Sequence, residues 1–499
     1  MPMPEGSFEE LTVTGFHTSL RTGTTTSTEL TTWYLDRIAA HNEQGAQLQA
    51  IVTVNPNALA EAAAADTYWA ATGELLGPLH GVPILIKDQA ETAGIRTTFG
   101  SKLFEDYIPD NDASVVIKLR QAGAVILAKT SMCDFAAGWF SSSSMIDHTK
   151  NAYDPDRDSG GSSAGTGTGV SANFGLIGVG EDTGGSIRIQ ASFNNLYGLR
   201  VTTGLISRNG FSPLVHFQDT PGPMARTVTD LALLLDVMVG YDPRDPYTAV
   251  AWTASDAGTY AQTLDQARDC SQWRVGVLET GFSAEADSRF TDVNTVVRNA
   301  IQRLADQGVD ITPGLEIERL TEQIVDTSVY VKQSKHDITE FLKHRQTPVS
   351  SFTEIYDRGI FHPLNDLFHN IATGPDNPNE DPDYFRLRLN QEHLKRLVLN
   401  LFAANRLDFL IYPTVQVLPP TREELDSGLY TALTFPTNTV IGSQTGLPAL
   451  TIPVGFTPTG IPVGLELLGT PLAESAMLQF AAQWETATAA QTRKAPVLG

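Results

Sequence analysis

Between Gly160 and Gly210 the chain is so crowded with glycine, serine and threonine that it cannot pack as ordinary apolar core. Glycine permits positive φ and close backbone approach, so a stretch of this kind suits a site built from main-chain groups. Around it, short apolar runs alternate with helical patterns. Val82 to Ile86, Ala124 to Ala128, Trp273 to Leu278, Phe409 to Tyr412 and Ala449 to Pro453 read as buried strands. Ser114 to Gln121, Thr227 to Val239 and Asp292 to Gln307, the last stopped by Gly308, read as helices. That alternation predicts an α/β layered fold.

Residues 27–71 also read as helical. Ser27 is the expected cap, Leu30, Trp33, Tyr34 and Ile38 recur at helical spacing, and a second helix is expected from Pro56 to Ala71. From Thr312 to Asn400 the periodicity weakens, and a Pro/Asn/Asp-rich insert runs from Gly374 to Asn379. That region reads as a mobile surface segment covering the site.

With a net charge of −23 over 499 residues, a broad phosphate-binding surface is disfavoured, and no nucleic-acid partner is expected. Cys133 and Cys270 cannot build a disulfide framework, and two unpaired buried thiols are expected. The histidine pairs His336/His344 and His362/His369 miss a helical ligand face, so no metal and no cofactor are predicted. The N-terminus shows no signal pattern, and no apolar run approaches the ~18 residues of a membrane span. The expectation is therefore a cytoplasmic protein without a membrane partner. The sequence leaves oligomeric state open, homo-oligomer included.

Three residues carry the chemistry. Lys87 ends the apolar run Gly81–Ile86, Ser162 lies in Gly160-Gly161-Ser162-Ser163, and Ser186 follows Asp182-Thr183-Gly184-Gly185. Amide hydrolysis commonly proceeds through an acyl intermediate, because water attacks poorly and an amine leaves poorly. A lysine can serve as the base only if burial or a positive neighbour lowers its pKa by several units. Lys87 follows an apolar strand and suits that role, although the fragment alone also fits a surface lysine beside Asp88. Two glycines before Ser186 let successive N–H groups face one cavity, and one such donor is worth ~2.7–4 kcal/mol to a developing oxyanion. The same fragment also fits a glycine turn in which Ser186 caps a helix. A phosphate loop is disfavoured because Gly-Lys-Ser/Thr is missing, and a nucleophile elbow because Ala164 stands where glycine is required.

Taken together, these blocks resemble the amidase signature family. The likeness rests on Gly81-Val82-Pro83 leading to Lys87-Asp88, on Gly160–Ser163, and on Asp182-Thr183-Gly184-Gly185-Ser186-Ile187-Arg188. The separation of twenty-four residues between the two serines is the family's spacing. Further likeness lies in Gly123–Val125 through Lys129-Thr130, in Gly222–Arg226 and in Gly446–Ala449 through Gly464-Leu465. The resemblance implies one α/β/α layered domain over residues 1–499, with a central twisted mixed sheet and glycine-rich loops at one edge. Its signature core would span about residues 75–235, and its variable cover about 312–400.

The resemblance also implies a Ser-Ser-Lys triad: Ser186 as nucleophile, Ser162 as bridge after a cis Gly161–Ser162 peptide, and Lys87 as base. Backbone N–H groups of Thr183, Gly184, Gly185 and Ser186 would form the oxyanion hole. Ser163 would support the relay, with Asp182 and Arg188 beneath the loop. The implied activity is ATP-independent hydrolysis of a small carboxamide, or of a carbamate or ester by the same route. The alternative is the glutaminase subunit of a tRNA-dependent amidotransferase complex. Ala164, Thr166, Glu181 and Gln190 depart from the family's common residues; Glu181 stands where a small hydroxyl residue is frequent. Phe135, Trp139, Phe140, Phe193 and Phe211 are candidates for an apolar acyl pocket, and core packing explains each equally well.

Overall fold

Runs rich in Val, Ile and Leu, with no polar alternation, form strands covered on both faces. Pro83–Lys87 is such a run, and all five of its residues are buried. The computed structural model describes residues 8–266, 268–284, 286–488 and 495–496. Eleven strands of the described chain form one sheet. They are β1 (Ile51–Val54), β2 (Pro83–Lys87), β3 (Val125–Thr130), β4 (Ile177–Glu181), β5 (Tyr197–Arg200) and β6 (Pro221–Ala225). The remainder are β7 (Arg274–Leu278), β8 (Asp310–Leu315), β9 (Phe409–Pro413), β10 (Ala449–Phe456) and β11 (Pro462–Leu468).

Their order is β1-β3-β2-β4-β6-β5-β10-β11-β9-β7-β8, and the sheet is mixed. β3-β2-β4 run parallel, as do β9-β7-β8, while the strands between them pair antiparallel. β5 meets β10 at the centre, with Leu199 opposite Leu450. The two halves of the chain therefore share one hydrogen-bonded surface. Helices flank it, among them Val228–Met238 and Ser288–Asp306. The helix Ala164–Ser171 is buried at every residue; its sequence AGTGTGVS lets its backbone lie close to the sheet beneath β2 and β4.

The five strands expected from the sequence are present, with ends shifted by at most three residues. Residues 27–71 differ from expectation. Ser27–His41 is one helix and Ala58–Thr72 another, with β1 between them. The first helix is capped by Thr26, not Ser27: the Thr26 hydroxyl accepts from the Glu29 N–H, and the Glu29 carboxylate accepts from the Thr26 N–H. Cys133 is buried, but Cys270 is half-buried.

Residues 312–400 are not a loose surface segment. They contain five helices, including Tyr330–Lys343 and Tyr384–Asn405. Ile338, Leu342, Phe352 and Phe368 form an apolar cluster with Phe99, Phe104 and Phe135. No helix of the described residues is long and apolar enough to cross a membrane.

Candidate active site

β2 ends in Lys87, and parallel pairing with β4 carries that end toward Glu181 and the turn that follows it. The Lys87 side chain is fully buried; Nζ donates to Ser162 Oγ at 2.8 Å and to the Glu181 carbonyl at 3.2 Å. Burial pushes the lysine pKa down, against the upward pull of Glu181, Cys133 and Asp182.

Ser162 follows a cis Gly161–Ser162 peptide. Gly161 is required by close approach: a Cβ there would lie 2.6 Å from the Phe140 N and carbonyl carbon. The Gly161 N–H donates to the Trp139 carbonyl at 2.7 Å, which fixes the loop against its neighbour. Ser163 ties the two serine blocks together. Its N–H donates to the Ser186 carbonyl at 3.3 Å, and its hydroxyl donates to the Glu181 carbonyl at 3.2 Å.

The turn from Asp182 to Ser186 is held from below by charge. Asp182 accepts from Gly185 N–H at 2.8 Å, from Arg188 Nε at 3.0 Å and from Arg200 Nη1 at 3.1 Å. Arg188 also reaches Glu466, the Thr439 carbonyl and Ser443. All of these charged side chains are fully buried. Burial alone would raise Asp182, but Arg188 and Arg200 outweigh it and hold the carboxyl well below its usual range. Burial pushes Glu466 up to about 7 despite Arg188, with the Asp182 charge adding to the rise.

Gly185 has φ +130°, and a Cβ there would lie 2.6 Å from Thr439 Cβ, with Oγ1 nearer still. Only glycine fits both demands. Because its N–H is given to Asp182, Gly185 is not free to donate into the cavity as the sequence reading expects of it.

Above Ser186, itself 3% exposed, lies a pocket walled by Ala136, Trp139, Leu214, Tyr330, Leu367 and Ala432, with Thr183 and Gly184 at its base. No charged side chain among the described residues lines it. Of the five aromatics expected there, Trp139 does line it. Phe135 lies in the neighbouring cluster, Phe140 and Phe193 pack around Ile189, and Phe211 belongs to the main core. Tyr330 and Leu367 come from the region without readable periodicity, and the sequence reading misses both. Tyr330 opens its helix, a position that gives no signal that its hydroxyl approaches Gly184.

The Amidase family model matches residues 29–478. The chain is 34% identical over 485 residues to a glutamyl-tRNA(Gln) amidotransferase subunit from Ralstonia nicotianae, covering 93% of this chain and 95% of that protein. It is 34% identical to the protein of the same name from Archaeoglobus fulgidus, over 82% of this chain and 86% of that one. Among solved structures, native peptide amidase from Stenotrophomonas maltophilia superposes with a TM-score of 0.84 at 30% identity, over 98% of this chain and 99% of the other. A peptide amidase complex with the competitive inhibitor chymostatin gives 0.86 at the same identity and coverage. A family match that spans nearly the whole chain, on a fold that these enzymes share, shows that this protein belongs to the amidase family.

Proposed function

We propose that this chain hydrolyses the C–N bond of a carboxamide whose acyl part is uncharged and apolar, through an acyl-enzyme on Ser186. The hydrogen bond of 2.8 Å from Lys87 to Ser162, between two fully buried side chains, carries the proposal. Ser186 Oγ attacks the carbonyl carbon and gives its proton to Ser162 Oγ, which passes its own to the neutral Lys87 amine. Collapse of the tetrahedral adduct breaks the C–N bond, and the proton returns along the same path to the leaving nitrogen. Water then repeats the attack, releasing a carboxylate and regenerating Ser186. The N–H groups of Thr183, Gly184 and Ser186 are the proposed oxyanion donors, each worth ~2.7–4 kcal/mol. Ser163, Asp182 and Arg188 shape the loop without touching the reacting atoms. A carbamate or ester of similar acyl shape would follow the same steps.

The names of the curated relatives support a second reading: the glutaminase subunit of an amidotransferase whose product is linked to tRNA. That reading would replace the expectation of no nucleic-acid partner. Free glutamine carries an ammonium and a carboxylate, which in that reading are held by groups beyond the apolar lining next to Ser186. The curated relatives of that name, which match 93% and 82% of this chain, support this second reading more strongly than the first, and the apolar lining beside Ser186 supports the first.

Intact mass after exposure to a small fluorophosphonate tests the nucleophile. A single adduct is expected on the wild type and none on Ser186→Ala, with Lys87→Ala labelling far more slowly. An adduct that persists in Ser186→Ala would overturn the assignment. Ammonia release from an N-acyl-phenylalaninamide and from glutamine then separates the two readings; faster turnover of glutamine would favour the amidotransferase reading.

A further inference from the structure

Beside Lys87 lies a carboxylate that the relay does not use. Glu181 Oε2 sits 3.5 Å from Lys87 Nζ, both side chains are fully buried, and Oε2 accepts no hydrogen bond among the described residues. Oε1 is anchored by the Thr183 hydroxyl and the Thr220 N–H, each at 3.3 Å. The carboxyl group is thus fixed at one end and turned toward the amine at the other. It also occupies the position at which the sequence departs from a small hydroxyl residue.

We propose that Glu181 is a positioning residue that shares one proton with Lys87 and thereby sets the pH above which the lysine is a free base. The inference rests on the reading of Lys87 as the base. The exchange moves a single proton between Nζ and Oε2, so the pair passes between ammonium with carboxylate and amine with carboxylic acid at constant net charge. No other bond changes. The proton arriving from Ser162 is accepted by the second form, and at higher pH by the amine beside a carboxylate once the pair has lost its shared proton.

The surroundings bear on both partners. Asp182 and Thr183 face Glu181 from its own loop, Gln89 from the turn after β2, Asp219 and Thr220 from the segment before β6, and Arg200 from the end of β5. Ser162, Cys133 and Asp182 face Lys87. Burial and then the Asp219 charge push Glu181 up to about 7, while burial pushes Lys87 down. The two tendencies converge, as a shared proton requires. Such a pair titrates as a unit, and a carboxylate this close to an amine shifts it by about one to three pH units.

The test is the pH dependence of fluorophosphonate inactivation, which needs no knowledge of the substrate. Glu181→Gln keeps the shape and removes the charge. Its acid limb is expected to lie about one to three pH units below that of the wild type, which makes inactivation ~10–1000-fold faster at a fixed pH on that limb. Glu181→Thr should move the limb the same way, and serves if the glutamine variant does not fold. An unmoved limb in a folded variant, or one moved to higher pH, would overturn the proposal while leaving Lys87 as the base. A wild type that shows no adduct at any pH would instead overturn both, since the underlying relay would then be absent.

Discussion

Asp182→Asn separates the buried charge cluster from the chemistry it supports. In the native protein the Asp182 carboxylate lies 3.0 Å from Arg188 Nε and 3.1 Å from Arg200 Nη1, and none of these groups reaches water. At an effective dielectric of ~20, each contact is worth ~5 kcal/mol of attraction, much of it offset by the desolvation of the charges. Removing the anion leaves two adjacent guanidinium groups with Glu466 as the remaining acidic contact described for Arg188. Breaking a buried pair in this way destabilises by ~3–5 kcal/mol.

With m of ~3 kcal/mol/M, the urea midpoint should fall by ~1–1.7 M at pH 7, followed by tryptophan fluorescence. The pH dependence has a definite sign. A carboxyl held low in the folded state stabilises above its unfolded pKa of ~3.9, and loses that contribution as pH falls toward the folded value. The gap between wild type and variant should therefore close below about pH 4. A midpoint within about 0.3 M of wild type at pH 7, equivalent to ~1 kcal/mol, would refute the view that Asp182 holds this cluster together.

Two further outcomes are expected. Gly185→Ala forces a methyl group onto Thr439 and should slow fluorophosphonate labelling by ~100-fold or more, as a displacement of ~1 Å in a catalytic loop does; labelling at the wild-type rate would show that the loop tolerates a side chain there. Asp134, pushed up to about 7 by burial, takes hydrogen bonds from Ser144, the His362 N–H and Asn365. A raised carboxyl binds a proton on folding, so it makes stability fall as pH rises from about 4 to about 7, by at most ~1.4 kcal/mol per pH unit. Asp134→Asn should remove that share of the slope in urea midpoints measured between pH 4.5 and 7.5, and an identical slope in the variant would count against a protonated Asp134.

What the sequence discloses follows how local the information is. Lys87, Ser162 and Ser186 sit in short blocks whose glycines are dictated by nearby backbone, so the motifs stand out in a linear reading. The contact between Lys87 and Glu181 spans ninety-four residues, and only the pairing of β2 with β4 creates it. β4 (IGVGE) and β6 (PGPMA) carry too few branched apolar residues to announce themselves as strands, yet both are buried at every position. Their stability comes from the sheet around them, not from propensity. The helices of residues 312–400 are hidden for a related reason. Phe341 and Phe368 find ring partners in Phe99 and Phe135, more than two hundred residues earlier, so much of their burial leaves no short-range period.

The link from Arg188 to Glu466 spans 278 residues. On the ribosome, where chains grow at ~5–20 residues per second, roughly 14–56 s separate the synthesis of the two ends. During that interval β5 has no β10 to pair with, and the guanidinium beneath the Ser186 loop lacks one of its two acidic partners. A nascent chain thus holds all three residues of the proposed relay long before it holds the support beneath them. Completion of the site is timed by the last strands to emerge, and a truncated translation product ending before β11 would carry Lys87, Ser162 and Ser186 without the framework that shapes their surroundings.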